Sequence, residues 1–498
     1  MTSRRFSRYF YNPVSYLGAL LALLVFIVEI FLFALDMFVG EGNLYIGILT
    51  YCILPIFLII GLLMIAAGAI VQRIRYVRGQ TDLRIHAFHI DLSLPSHQNT
   101  LIVFFVGTAI LIIMTLIGSY KAYHYTESVQ FCGTMCHEVM RPEHTAYLKS
   151  PHGRVACVEC HIGSGANWYV KSKMSGARQV LRTIAKSYER PIKTPVDNLR
   201  PAEQTCQQCH WPEKLHAIRD LKRSYYLTEG DDREWVVRMQ MNVGGDKDSA
   251  AGVHAHMNVD HEIYYAAEDA RRQKITWVKS VDKDGTERIY VSPGSKYRDA
   301  PPPADKVRKM DCIDCHNRPS HRFEAPYRLV NDALRQGRID PSIPDIKERA
   351  LKALDKEYDS TAEALESIPS DLRAYYEKKH PDYLREHSGA IDTAAETLKR
   401  LYQNDFFPEM KARWDTHPDN IGHLTTPGCF RCHGGEHRTL DGARTITKDC
   451  KACHTIVEQG PAGRTERSLD GLDFIHPVDD DNGWKEMNCH DCHTGGGP

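Results

Sequence analysis

The sequence predicts a mainly α-helical protein: a three-helix transmembrane anchor followed by an outer domain with little regular structure and a small β-containing insertion. Two observations carry this reading. Three apolar runs crowd into the first quarter of the chain, and a Cys-x-x-Cys-His pattern recurs through the remainder. At 498 residues the chain exceeds what one hydrophobic core organises, so an anchor plus two or more outer modules is expected.

The apolar runs span about 14–38, 44–71 and 101–119, and each is long enough to cross a hydrocarbon layer of roughly 30 Å. The first is too long for a cleaved signal peptide, and no small-residue cleavage site follows it, so it is expected to be retained. Arg4, Arg5 and Arg8 precede it, and Arg73, Arg75, Arg78 and Arg84 fill the second connection, whereas the Gly40–Asn43 turn carries no Lys or Arg. Positive charge marks the cytoplasmic side. The N-terminus and the second connection, with His86, His89 and His97, are therefore expected inside, and everything after Tyr120 outside. Within the first span Asp36 reaches the outer interface, while Glu29 is either paired within the helix bundle or part of a proton relay. Cys52 reads as a small buried hydrophobe.

Charge is balanced, with 62 Lys+Arg against 63 Asp+Glu, which gives no nucleic-acid footprint. The 15 cysteines are the informative feature. Six Cys-x-x-Cys-His copies occur: Cys157/Cys160/His161, Cys206/Cys209/His210, Cys312/Cys315/His316, Cys429/Cys432/His433, Cys450/Cys453/His454 and Cys489/Cys492/His493. A wider copy, Cys132-Gly-Thr-Met-Cys136-His137, precedes them. Two thiols at this spacing form thioethers to the two vinyl groups of a haem, and the adjacent histidine then ligates the iron. Zinc knuckles also use paired cysteines, but they do not require a histidine after every second one. Seven covalently attached haem c groups are expected, on the non-cytosolic side where such thiol chemistry belongs.

A sixth ligand closes an iron and makes it an electron carrier, whereas an open position permits substrate chemistry. Candidates outside the motifs are His144, His152, His254, His256, His261, His321, His417, His423, His437, His476 and His490. Of these, His152, His256, His321, His417, His423, His437 and His476 are the preferred distal set.

Four segments are expected: the anchor at 1–120, a tetrahaem domain at 121–325 with a β-containing insertion at 222–305, a helical segment at 326–416, and a trihaem segment at 417–498. Within the insertion, Trp235–Val243 and Ile275–Val281 alternate as strands do, and Asp282-Lys283-Asp284-Gly285 reads as a hairpin turn. Ile346, Ala350 and Leu354, then Ile391, Ala395 and Leu398, recur at helical spacing. The last three motifs have too little apolar sequence around them for an independent core, so the haems themselves are expected to form it.

The run Phe131-Cys-Gly-Thr-Met-Cys-His-Glu-Val-Met140, followed by Ser150-Pro-His-Gly-Arg-Val-Ala-Cys-Val-Glu-Cys-His161, resembles the NapC/NirT family of membrane-anchored quinol dehydrogenases. Cys206-Gln-Gln-Cys-His-Trp-Pro-Glu213 and Cys312-Ile-Asp-Cys-His-Asn-Arg-Pro-Ser-His321 are similar to that family's third and fourth haem segments, so the resemblance covers roughly 101–321. It implies oxidation of menaquinol from the quinone pool at the outer face of the bacterial cytoplasmic membrane. Electrons would then pass through the haems to periplasmic multihaem cytochromes or reductases, in anaerobic or extracellular respiration. It also implies that Met140 ligates the first iron, although Met140 stands one residue further from its motif histidine than usual, and Met135 or His137 are alternatives. The family's crosswise pairing implies His152 on the fourth-motif haem, His321 on the second and His256 on the third. Lys173 matches the family's quinol-site lysine, but Arg178 and Val180 stand where an acidic residue is expected. The alternative functions are a relay fed by another membrane subunit and a terminal reductase of a small oxyanion.

Overall fold

The computed structural model describes residues 8–39, 49–79, 92–162, 166–196, 200–211, 217–228, 234–244, 252–256, 261–478 and 483–497. Arg4, Arg5, Arg84, His86, His89 and the Gly40–Asn43 turn lie outside the described residues. The chain divides into two compact units, Met1–Met135 and Cys136–Pro498.

The first unit contains helices α1 (Pro13–Val39), α2 (Leu54–Val77) and α3 (Pro95–Thr126). The first two are long and apolar enough to cross a membrane, over Pro13–Ala34 and Leu54–Val77. The third expected run lies inside the 32-residue α3. Leu17, Leu20, Leu24 and Phe31 on α1 and Ile59 and Leu63 on α2 are exposed, an arrangement that lipid favours and water does not. Small residues bring α1 and α2 together. A Cβ on Gly61 would lie 2.8 Å from the Ala22 nitrogen, and one on Gly18 2.7 Å from the Gly61 carbonyl oxygen. The Ser15 hydroxyl donates to the Ile65 carbonyl at 3.1 Å, so a polar side chain in an apolar setting is satisfied by the neighbouring helix.

The second unit holds helices α4 (His137–Lys149), α5 (Ala166–Ile184), α6 (Pro326–Arg335), α7 (Ile346–Asp355), α8 (Thr361–Lys379) and α9 (Pro381–Asp405). Proline opens α6 and α9, where its missing N–H costs nothing, and Ser360 caps α8 by accepting from the Glu363 N–H at 3.2 Å. The spacing expected of this segment is realised. Ile346, Ala350 and Leu354 of α7 and Ile391, Ala395 and Leu398 of α9 face one core with Val330, Ile343, Ile368 and Leu372.

Two antiparallel sheets complete the unit, with strands β1 (Ala217–Tyr226), β2 (Glu234–Gly244), β3 (His261–Ala267), β4 (Ile275–Asp282), β5 (Glu287–Val291), β6 (Arg308–Lys309), β7 (Arg438–Thr439), β8 (His454–Pro461) and β9 (Glu466–Leu472). Their orders are β1-β2-β8-β9 and β6-β3-β4-β5-β7. The expected strands Trp235–Val243 and Ile275–Val281 lie within β2 and β4, and Gly285 turns β4 into β5 at φ +81.

The expectation of little regular structure with β confined to a small insertion is corrected. β7, β8 and β9 come from the region of the last three motifs, and β8 pairs with β2 in the register Val237↔Gln459 and Met241↔His454. The run Ile456-Val-Glu-Gln-Gly460 does not alternate apolar and polar, yet it is buried throughout. Its order comes from the free edge of β2 rather than from its own pattern.

Candidate haem sites

The six narrow motifs share a local geometry. Short helical turns run over Cys157–His161, Cys312–Cys315, Phe430–His433 and Cys489–Cys492, and tighter turns over Cys206–Gln208 and Cys450–Ala452. The motif histidine closes the turn. The N–H of His210 donates to Cys206 O at 2.8 Å, that of His316 to Cys312 O at 2.8 Å, that of His433 to Cys429 O at 2.9 Å, and that of His493 to Cys489 O at 2.9 Å. Asp311 starts its turn with a capping box, as does Asn488. One turn thus carries both attachment sulfurs and the adjacent imidazole.

Cys209, like Cys453, lies just past its tight turn. Its N–H donates to Cys206 O at 3.2 Å, and its thiol is exposed where that of Cys206 is half-buried. Cys160, Cys429, Cys450 and Cys492 are likewise exposed.

Each of the six histidines faces a second one. Ring centres are 6.1 Å apart for His161 and His321, 6.1 Å for His210 and His152, 6.2 Å for His316 and His254, 5.8 Å for His433 and His256, 6.2 Å for His454 and His423, and 6.0 Å for His493 and His476. An iron held between two imidazole nitrogens at bond lengths of about 2 Å separates their ring centres by roughly 6 Å. The donor set therefore fits an iron porphyrin at each pair.

The second histidines are also held in a way that suits a ligand. Nδ1 contacts a backbone carbonyl in His152 (Pro319, 3.4 Å), His254 (Val243, 2.8 Å), His256 (Val253, 3.0 Å), His321 (Glu143, 3.0 Å) and His476 (Val478, 2.9 Å). A carbonyl that takes the Nδ1 proton fixes the tautomer and leaves the Nε2 lone pair for a metal. Burial pushes the imidazoles of His256, His321, His454 and His493 down from their usual range, and that of His423 to about 4, which keeps them neutral as ligation requires.

The pairing differs from the crosswise scheme at two positions. His152 faces His210 of the third motif rather than the fourth, and His256 faces His433 of the fifth rather than the third, while the ring opposite His316 is His254. Of the remaining candidates, His490 sits inside the seventh motif with its Nε2 3.6 Å from Asp491, and three others are engaged elsewhere. His437 spends Nε2 on the Ile275 carbonyl at 3.1 Å, His261 contacts Asp282 at 2.9 Å, and His144 stacks on Tyr147. His417 is buried and faces none of the six narrow-motif histidines. In the wide motif the side chain of His137 lies outside the described ones, and the half-buried Met140 follows Cys136 by one turn of α4, its N–H donating to Cys136 O at 2.9 Å. Lys173 lies on α5, whose Val170, Met174, Leu181 and Ile184 form an exposed apolar stripe bordered by Lys171, Arg178 and Arg182.

Successive motifs adjoin in chain order. The Glu143 backbone on α4 holds His321 of the second pair, and the Cys160 and Cys206 thiols lie within electrostatic reach of each other. Cys206 and Cys312 also lie within electrostatic reach of each other, as do Cys315 and Cys429. Cys429 neighbours Cys453, and Cys450 neighbours Cys489. Arg431, inside the fifth motif, donates to the Asp314 carbonyl inside the fourth at 2.8 Å.

Paired thiols on single turns, facing histidine pairs and apolar helices able to cross a bilayer define a membrane-anchored multihaem c-type cytochrome, an electron-transfer protein. A model of the NapC/NirT cytochrome c family, N-terminal region, matches residues 94–210. The cytochrome c-type protein ImcH of Geobacter sulfurreducens is 39% identical over 99% of this chain and 97% of its own. The cytochrome c-type protein NrfH of Wolinella succinogenes is 27% identical over 26% of this chain and 74% of its own. The chain belongs to the NapC/NirT cytochrome c family. No solved structure matches it.

Proposed function

We propose that this chain is an inner-membrane quinol dehydrogenase that takes electrons from menaquinol at the outer face of the membrane and passes them through seven haem c groups to periplasmic acceptors. In this reading its N-terminus is cytoplasmic, and α3 is the third span that puts the haem unit in the periplasm. Bound haem supplies one-electron redox chemistry at iron. The chain's residues do the rest. Cys132 and Cys136, and the cysteine pairs of the six narrow motifs, fix the porphyrins; the motif histidines and His152, His254, His256, His321, His423 and His476 close the iron positions.

The observation that carries the reading is the set of six histidine pairs at 5.8–6.2 Å, because closed irons carry electrons and do not bind a small oxyanion. That favours a conductor over a terminal reductase. The exposed apolar stripe of α5 with its basic border favours a lipid-soluble donor. Such a helix lies along an anionic bilayer surface, which would put Lys173 beside the quinol. Lys173 would then hold a quinol oxygen and receive or steer its proton.

The test adds a reduced naphthoquinol analogue, without oxygen, to the detergent-purified chain and follows the haem bands. Rapid reduction that slows at least about tenfold in Lys173→Met supports a quinol dehydrogenase, a tenfold change being about 1.4 kcal/mol of barrier. Absence of reduction, with dithionite still reducing every haem, would make the protein a relay whose donor is another subunit.

A further inference from the structure

We infer that His417 is an axial ligand of the haem attached through Cys136 of the wide first motif. The inference rests on the reading that this wide motif carries a haem.

His417 is 7% exposed, and its Nδ1 lies 3.0 Å from the Thr194 hydroxyl, while its Nε2 is buried without a hydrogen-bond partner. With the hydroxyl accepting from Nδ1–H, Nε2 keeps its lone pair. This is the arrangement of the second histidines described above, with a threonine oxygen in place of a backbone carbonyl. Leaving such a nitrogen buried and unmatched costs about 1–3 kcal/mol, a cost that a metal bond would remove. Desolvation and the neighbouring Arg318 guanidinium push the imidazole down to about 4, so it stays neutral and able to ligate.

The surroundings point to the first motif. All six narrow-motif histidines already face another ring, so none requires His417. The His417 ring packs 6.4 Å from Phe323, and Phe323 shares a buried cluster with Val139 of α4, against which Cys136 packs. Ile192, two residues before Thr194, packs on the same cluster. Glu143, one turn beyond Val139 on α4, acts electrostatically on His417. The helix that follows the second attachment cysteine therefore shares its surroundings with a buried histidine whose Nε2 has no hydrogen-bond partner. Met140, one turn after Cys136, is placed to take the opposite axial position, or His137 does so.

The test uses the full-length, detergent-purified chain, with haem number read from intact mass and spin state from low-temperature electron paramagnetic resonance. The wild type is expected to carry seven haems with no high-spin signal. His417→Ala should keep seven haems and convert one of them to high spin, with added imidazole restoring the low-spin spectrum. His417→Met should stay low-spin and show a sulfur-to-iron charge-transfer band stronger than wild type, which decides the matter if the alanine variant loses haems by misfolding. His437→Ala should change nothing. A wild type with seven haems and one already high-spin, or a His417→Ala spectrum unchanged from wild type, overturns the inference. Six haems in the wild type would instead overturn the reading of the first motif on which it rests.

Discussion

Asp314 shows how much one side chain inside a haem motif does for the surrounding chain. It is 2% exposed and accepts from the Tyr265 hydroxyl at 2.7 Å, the Arg308 Nε at 2.8 Å, the Arg272 Nη1 at 3.0 Å and the Asp311 N–H at 2.8 Å. Its carbonyl takes bonds from Asn420 and Arg431. A buried carboxylate is tolerated only with this many donors, and removing its charge leaves the Arg272 guanidinium without its carboxylate and Arg308 with Asp311 alone. Asp314→Asn is therefore expected to cost about 3–5 kcal/mol, read as a lowered thermal midpoint of the detergent-purified protein. Burial and the adjacent carboxylate push the Tyr265 phenol up, so it stays a donor at any ordinary pH. The second histidines obey an equally local rule. His254→Ala should open one iron and give a high-spin signal, whereas His437→Ala should not. Sequence spacing could not separate these two residues. What distinguishes them is which ring nitrogen a backbone carbonyl occupies, Nδ1 in His254 and Nε2 in His437, and that depends on strands distant in sequence. The paired cysteines, by contrast, stand out in the sequence itself, because thioether chemistry would impose its spacing directly on the chain.

At the scale of elements, legibility followed from where each stretch finds its partner. α7 and α9 announce themselves because their apolar residues recur on one face, and the core they build with α6 and α8 contains no motif cysteine or histidine. Ile368→Ala or Leu398→Ala, both fully buried, should cost about 2–5 kcal/mol and leave the haem spectrum unchanged. A shifted spectrum in either variant would mean that this helical core sets the haem geometry directly. β8 announced nothing, since it is ordered by pairing with β2 across more than two hundred residues of chain. That pairing has a purpose visible in the contacts. The Asn242 N–H of β2 donates to Cys453 O at 2.9 Å, and the chain after β2 returns so that the His254 N–H donates to Val243 O at 3.2 Å. One strand end therefore braces the sixth motif together with the histidines that face the fourth and fifth.

Over the whole second unit, the motifs adjoin in chain order, so haems attached to them would form a line rather than a cluster. Each contact described joins a motif to the next one, from the second through the seventh. Electron transfer weakens steeply with separation, so a line has a consequence that a cluster lacks: removing a middle member isolates everything beyond it. Replacing Cys312 and Cys315 by alanine takes away the fourth haem, while Asp314 and the Arg431 tie to its carbonyl remain to hold the backbone together. Quinol analogue should then reduce only the first three haems rapidly, roughly half of the six that remain, whereas dithionite, which reaches every exposed edge, should reduce all six. An acceptor that collects from the seventh haem should lose its supply. Rapid quinol reduction of all six would mean that electrons bypass the fourth site, and the array would have to be branched. In the proposed reading a line would also account for the length of the chain beyond residues 94–210, the region shared with the NapC/NirT model: the added motifs would extend the conductor by one haem at a time, away from a quinol end and toward an acceptor.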